Sequence, residues 1–303
     1  MELEGVHHIT AITADARRNV EFYARLLGLR MVKKTVNFDA PDVYHLYYAD
    51  ERGSPGSVLT FFEFPGTKRG RAGAGAVHEI AWRVAGRAAL DFWQARLETA
   101  GVAVRRDDGA LRFADPEGLR LALVVEKVPD PPLRADWPEV PAEHALLGFA
   151  GVRAYAAAPE ASSTLLEQLG FKRRRGTQEY RLKGGERQAS FAFDEAPERP
   201  NVQGAGSVHH VAWASRDRDH AAWRARAVEA GAVPTEVIDR LYFRSIYFRE
   251  PSGVLFEIAT LGPGFTVDEP LERLGIELRL PERYESRRAE LERQLTPVEN
   301  PRA

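Results

Sequence analysis

No cysteine occurs anywhere in the sequence. That absence removes thiolate zinc sites, iron–sulfur clusters, cysteine nucleophiles and redox dithiols together, so a metal site would have to be built from histidine and carboxylate. Long apolar runs are missing as well. Nowhere do eighteen apolar residues follow one another, and the opening MELEGVHH has neither a basic start nor an apolar stretch. A membrane span and a secretory signal are therefore not expected, and a cytoplasmic location is. Neither sign of charge dominates: 42 Lys and Arg stand against 44 Asp and Glu, a net of −2. A nucleic-acid partner is not expected without a basic footprint, and the short cluster Lys172 to Arg175 reads as a solvated strand end. What remains is a soluble globular composition, 44% hydrophobic and 28% charged over 303 residues, long enough for two domains. A homo-oligomer is compatible with it. Histidine is scarce, with eight in all, yet four of them form two adjacent pairs, His7-His8 and His209-His210.

The chain repeats itself. GAGAVHEIAW at 73 to 82 returns as GAGSVHHVAW at 204 to 213, with seven of ten positions identical. The turn Asp115-Pro-Glu-Gly118 before LRLAL likewise matches Glu250-Pro-Ser-Gly253 before VLFEI, and FYARLLGLR at 22 to 30 parallels TLLEQLGFK at 164 to 172. Each quarter reads as strand, helix and three strands, giving an α+β fold of four βαβββ modules whose sheets curl around a cleft. Prolines 129, 131, 132, 138 and 141 mark a linker. The expected organisation is a first domain over 1–127, a linker over 128–144, a second domain over 145–262 and a tail over 263–303. That tail ends in an amphipathic helix from about Glu282 to Leu295, read as a packing strap.

Side chains alternate along a strand, so only one member of each His-His pair is expected to face a shared interior. On the last strand of the fourth module, Glu257 lies between Phe256 and Ile258. A carboxylate in so apolar a strand needs a partner or a cation. A histidine from the first strand of the same module and one from another module would complete two imidazoles and a carboxylate, the set associated with non-haem Fe(II).

These residues resemble the vicinal-oxygen-chelate superfamily, also known as the glyoxalase/bleomycin resistance/dioxygenase superfamily, and within it the hydroquinone ring-cleaving dioxygenases. The resemblance covers nearly the whole chain and rests on GVHHITAI (5–12), FYARLLGLRMVKKTVNFDAP (22–41), TFFEFPG (60–66), VHHVAW (208–213), DRLYFRSIYFREPSGVLFEIAT (239–260) and GPGFTVDE (262–269). It implies His8, His210 and Glu257 as ligands of Fe(II), with Mn(II) as a substitute. It also implies His7, Thr10, His209, Arg240 and Tyr247 as the surrounding catalytic groups. A small aromatic diol and O2 would be the reactants. His209 or His7 would transfer protons, while Arg240 and Tyr247 would bind the substrate oxygen or the developing anion.

Two other functions are open. A glyoxalase-like metal-dependent isomerase would want a second carboxylate, and Glu63 lies on the corresponding strand. Counted from the turn glycine, however, Gly253 to Glu257 matches Gly56 to Thr60, which leaves Glu63 at an odd offset and on the opposite face unless a bulge intervenes. A protein that merely sequesters an aromatic or drug-like molecule would not need the ligand set. His45, His144 and His220 read as half-buried structural residues without partners. His78 belongs to a module in which Glu79 and Ala122 replace His210 and Glu257, and Ala150 or Gly151 stands where the third module would carry its histidine. Phe191, Phe193, Tyr242 and Phe248 are candidates to line the substrate pocket, with core packing as the first reading of each.

Overall fold

Four times along the chain an apolar strand is followed by a helix with a one-sided apolar stripe and then by three strands. In the computed structural model, which describes residues 1–107 and 109–303, the first module is β1 (Leu3–Thr13), helical Ala16–Val20 and Glu21–Leu26, β2 (Arg30–Asn37), β3 (Ala40–Ala49) and β4 (Val58–Glu63). The second is β5 (Ala76–Val84), helix Arg87–Thr99, β6 (Arg105–Asp107), β7 (Ala110–Ala114) and β8 (Arg120–Val125). The third holds β9 (Phe149–Ala156), helix Ser163–Gln168, β10 (Lys172–Arg173), β11 (Glu179–Lys183) and β12 (Gln188–Glu195). The fourth holds β13 (Val208–Ser215), helix His220–Glu229, β14 (Ile238–Asp239), β15 (Phe243–Arg249) and β16 (Leu255–Pro263).

The strands form two eight-stranded mixed sheets, ordered β14-β15-β16-β13-β1-β4-β3-β2 and β10-β11-β12-β9-β5-β8-β7-β6. Module one thus pairs with module four through antiparallel β1 and β13, and module two with module three through β5 and β9. The segments 1–127 and 145–262 are accordingly units of the sequence repeat, and each sheet takes one module from either side of residues 128–144. That proline-rich stretch carries no helix or strand beyond an isolated bridge between Trp137 and Val140.

Helix Arg87–Thr99 shows why the helices cover the convex faces. Ala89, Leu90, Trp93 and Leu97 fall at helical spacing and are buried, while the intervening residues stay more open. Trp213 of β13 is buried among Phe171, Phe191 and Phe256 in the same core. Burying side chains of this size contributes about 1.5–3 kcal/mol each. The tail is held by burial of Leu280, Leu291, Leu295 and Val298. Its single expected helix is instead two short ones, Glu282–Glu285 and Arg288–Gln294, separated where Arg287 adopts φ −100° and ψ 4°. Buried anchors exist only on the second of them, so no apolar stripe holds the pair in one line. No helix of the structure is long and apolar enough to cross a membrane among the described residues.

Candidate metal centre

The concave face of the first sheet carries the histidine pairs on its two central strands. From Val6 to His8, β1 advances two residues while β13 moves only from Trp213 to Ala212; from Thr10 to Ala11, β1 advances one while β13 moves from His210 to Val208. Each step is a β-bulge with its extra residue at His7 or His209, and such a residue is released from strict alternation. The expectation that His7 and His209 face away from His8 and His210 is therefore corrected. His7 Nδ1 lies 2.9 Å from His8 Nδ1, and both rings stand beside Phe243, at 4.9 and 5.0 Å. His209 Nδ1 lies 2.8 Å from His210 Nδ1, and the His209 ring borders the cleft.

Three acceptor atoms converge between the strands. His210 Nε2 is 2.9 Å and His8 Nε2 3.2 Å from Glu257 Oε2, and the two nitrogens are 3.2 Å apart. Adjacent ligands of an octahedral ion with bonds of about 2.1 Å are about 3 Å apart, so this triangle has the dimensions of one octahedral face. Glu257 is completely buried, and its Oε2 receives no hydrogen bond of acceptable geometry. Burial alone would push its carboxyl up, whereas any positive charge placed between His8 and His210 draws it well below the usual range. A cation must occupy the triangle for the carboxylate to remain ionised there.

The surrounding hydrogen bonds favour a metal ion in that role. His7 Nε2 is 3.0 Å from the carbonyl of Thr260, which can only accept, so His7 donates there and burial keeps it neutral, pushing it down to about 3. His7 Nδ1 then accepts from His8 Nδ1–H, leaving a lone pair on His8 Nε2. His209 Nδ1 meets His210 Nδ1 in the same kind of contact, and His209 is pushed down to about 4, mainly by burial. Ser245 donates to Glu257 Oε1 and turns Oε2 toward the histidines. Two neutral imidazoles and a carboxylate suit a divalent first-row metal. Among the described residues this is the one group of three so arranged.

An approximate twofold relates the two halves of the site. His8 pairs with Ala212 and Thr10 with His210 across β1 and β13, while Glu257 lies beside Ala212 and Thr60 beside Thr10. Thr60 thus occupies the position related to Glu257. Glu63 lies on the other face of β4, without an intervening bulge, and accepts from the Ala16 N–H and the Thr296 hydroxyl. One strand further out, Tyr47 opposite Thr60 corresponds to Tyr247 opposite Glu257, and His45 corresponds to Ser245.

His45 is therefore not the isolated structural residue expected of it. Its Nε2 lies 2.8 Å from Thr60 Oγ1, its Nδ1 2.7 Å from the Tyr47 hydroxyl, and Thr60 continues to Thr10 at 2.8 Å. Burial pushes His45 well below and Tyr47 well above their ordinary ranges, which keeps both neutral. His144 stacks on Phe92, and both ring nitrogens of His220 lack partners. In the second sheet His78 binds Asp194 and stacks on Tyr155, while Glu79 binds Arg112. The ion pair of Glu79 with Arg112 thus stands where the first sheet has the ligand His210, and Ala81 pairs with Ala122 where Ala212 pairs with Glu257.

The triad opens into a cavity of about 460 Å³. Its aromatic walls are Phe38, Tyr47, Phe62, Phe64, Phe243 and Tyr247. The sequence candidates Phe191, Phe193 and Phe248 lie in the core, and Tyr242 packs beneath the cleft with Phe265. Strand parity carried a usable signal for Phe62, which shares a face with Thr60. Arg240 Nε donates to the Tyr247 hydroxyl at 3.1 Å, and its Nη1 reaches Asp39 at 3.0 Å. Burial would lower Arg240, but Tyr247 and Asp39 outweigh it and hold the guanidinium charged. Burial pushes the Tyr247 phenol up, Glu257 adds to this and Arg240 opposes it.

Known proteins share both the fold and the sequence. The profile of the Glyoxalase/Bleomycin resistance protein/Dioxygenase superfamily matches residues 5–123 and 150–258. A Bacillus subtilis protein named "Putative ring-cleaving dioxygenase MhqA" is 39% identical over 99% of this chain and 100% of its own length. The chlorohydroquinone/hydroquinone 1,2-dioxygenase of Sphingobium indicum is 34% identical over 95% of each chain. A crystal structure described as "putative dioxygenase from Bacillus subtilis" superposes with a TM-score of 0.91 at 38% identity, covering 98% of each chain. The chain belongs to the glyoxalase/bleomycin resistance protein/dioxygenase superfamily.

Proposed function

We propose that this protein is a non-haem Fe(II)-dependent dioxygenase that opens the ring of hydroquinone-type aromatic diols with O2, catechol-type diols being the nearest alternative. The observation that supports this reading most is the convergence of His8, His210 and Glu257, open on one side to an aromatic cavity. The name of the Sphingobium indicum relative points to the same substrate class. A threonine where a second carboxylate ligand would stand argues against the isomerase reading. Sequestration alone gives no reason for a buried carboxylate oxygen, Glu257 Oε2, that lacks a donor. Mn(II) accepts the same donor atoms.

Fe(II) held by His8, His210 and Glu257 supplies a Lewis acid for a ring hydroxyl and an electron path between diol and O2. The chain's own residues do the rest. His7, anchored on the Thr260 carbonyl, keeps the His8 lone pair available, and Ser245 fixes the Glu257 carboxylate. Arg240 and Tyr247 form a cationic pole for an oxygen that gains negative charge. His209 borders the cavity and can hold or pass a proton at Nε2 when its Nδ1 is engaged by His210. Thr10 anchors Thr60 and the hydrogen bonds beyond it. The aromatic walls stack the ring and exclude water.

The test is anaerobic reconstitution with Fe(II), followed by oxygen-electrode assays on a panel of hydroquinones and catechols. Stoichiometric oxygen uptake with a para-diol is expected, and no uptake with any diol would refute the proposal. Isomerisation of an α-ketoaldehyde thiol adduct, abolished in Glu63→Ala, would favour the isomerase.

A further inference from the structure

The hydrogen-bonded string Tyr47–His45–Thr60–Thr10 is left over once the ligands and the Arg240–Tyr247 pair have roles. We propose that the Tyr47 hydroxyl, positioned by His45, binds the substrate oxygen remote from the metal and so selects para-diols over ortho-diols. This rests on the dioxygenase reading of the same cleft.

Hydrogen counting carries the argument. The four groups, neutral as their burial requires, carry one polar hydrogen each, four in all, while only three contacts link them. One hydrogen is always left over, and because His45 is engaged at both nitrogens it falls to Tyr47, Thr60 or Thr10. If every bond points toward Thr10, Tyr47 donates to His45 and its oxygen faces the cavity as an acceptor. If every bond points the other way, Tyr47 is free to donate into the cavity. Both Tyr47 and His45 line that cavity. The string therefore meets an oxygen that is a hydroxyl donor in the diol and a carbonyl acceptor once the ring has been oxidised. No change of net charge is needed in the wall.

The approximate twofold relates this neutral pole to a charged one. Tyr47 and Tyr247 occupy related positions flanking Thr60 and Glu257, but Tyr247 is bound by Arg240, whereas Tyr47 is bound by the neutral His45. An oxygen that becomes anionic belongs at the Arg240 end; one that stays a hydroxyl or becomes a carbonyl belongs at Tyr47. A para-diol carries its second oxygen across the ring from the first, where one pole of a two-poled cleft can meet it. An ortho-diol keeps both oxygens on one side. Phe265 of the tail packs 5.1 Å from the Tyr47 ring and fixes its direction.

The test compares wild type, Tyr47→Phe, His45→Leu and His45→Gln, each loaded with Fe(II) and checked for metal content. Oxygen uptake is measured with 1,4-dihydroxybenzene and 1,2-dihydroxybenzene, with anaerobic calorimetry of both diols on the Zn(II)-substituted proteins. Tyr47→Phe should lower kcat/KM for the para-diol about tenfold, chiefly through KM, and weaken its binding similarly, the loss expected for one neutral hydrogen bond. Metal content and the ortho-diol should be unchanged. His45→Leu should behave likewise, and His45→Gln, which can still accept from Tyr47, should recover part of the selectivity. Equal losses on both diols, or none in Tyr47→Phe, would overturn the inference. If wild type consumes no oxygen with either diol, the dioxygenase reading fails and the binding arm decides: Tyr47-dependent preference for the para-diol keeps the inference, and indifference removes it.

Discussion

Replacing His7 by phenylalanine removes one hydrogen-bonding group and preserves the shape around it. His7 is buried and its ring lies 4.9 Å from Phe243, so a phenyl ring fits the same aromatic packing. What disappears is the acceptor 2.9 Å from His8 Nδ1, which selects the tautomer whose Nε2 lone pair faces the triad. Leaving that buried N–H without a partner costs about 1–3 kcal/mol. At about 1.4 kcal/mol per factor of ten, metal affinity should fall about ten- to hundredfold, the range usual for groups that orient a ligating histidine. Anaerobic competition for Fe(II) against a chromophoric chelator, repeated with Zn(II), reads the change directly. Circular dichroism and Tm establish that the variant is folded. An unchanged Kd in the folded variant would refute the tautomer argument, and a loss beyond about 10⁴-fold would mean that His7 ligates the metal itself.

Other perturbations separate the remaining parts of the account. Glu257→Gln should lose most bound metal while Glu63→Gln keeps it, measured as metal per chain after desalting; the reverse order would move the site. Lys33, completely buried, is held by Asp268, Glu269 and the Phe265 carbonyl, tying β2 to the tail. Lys33→Met leaves two carboxylates without it and should cost about 3–5 kcal/mol in urea denaturation; a loss below about 1 kcal/mol would show that the tail is held by its apolar anchors alone. Asp115, buried beside Tyr23, has its carboxyl raised by burial from 3.8 to about 6. The folded state therefore retains a proton that the unfolded chain has lost between about pH 4 and 6, and stability falls as pH rises through that window, by up to about 3 kcal/mol. Asp115→Asn should flatten this slope, and parallel stability curves for the two proteins would contradict it.

The module plan was legible because each βαβββ unit repeats the same short-range pattern, so errors in one copy are checked by another. The histidines and Glu257 stood out because polar residues in apolar strands need a reason. Strand alternation misplaced His7 and His209, since a bulge is set by the register of the partner strand some 200 residues away, as the Thr10–His210 pairing shows. His45 was passed over for a related reason: its partners Thr60 and Tyr47 are brought to it by the β3–β4 register. Glu63 was placed on the outer face by counting alone, because no bulge interrupts β4. The exchange of modules between sheets had no local signal, since β1 and β5 have similar strand character and only tertiary pairing distinguishes their partners. The tail helix divided because propensity cannot hold two short helical segments in line without buried anchors on both.

The central claim is that His8, His210 and Glu257 hold an iron ion that directs both atoms of O2 into an aromatic diol. Single-turnover reaction of the Fe(II)-loaded protein with 1,4-dihydroxybenzene under ¹⁸O2, read by mass spectrometry of the product, tests it most directly. A ring-opened product carrying two ¹⁸O atoms is predicted, allowing for exchange of an aldehyde oxygen with water. An intact ring, or a product whose new oxygen comes from water alone even when exchange is suppressed by rapid reduction of the aldehyde, would contradict it.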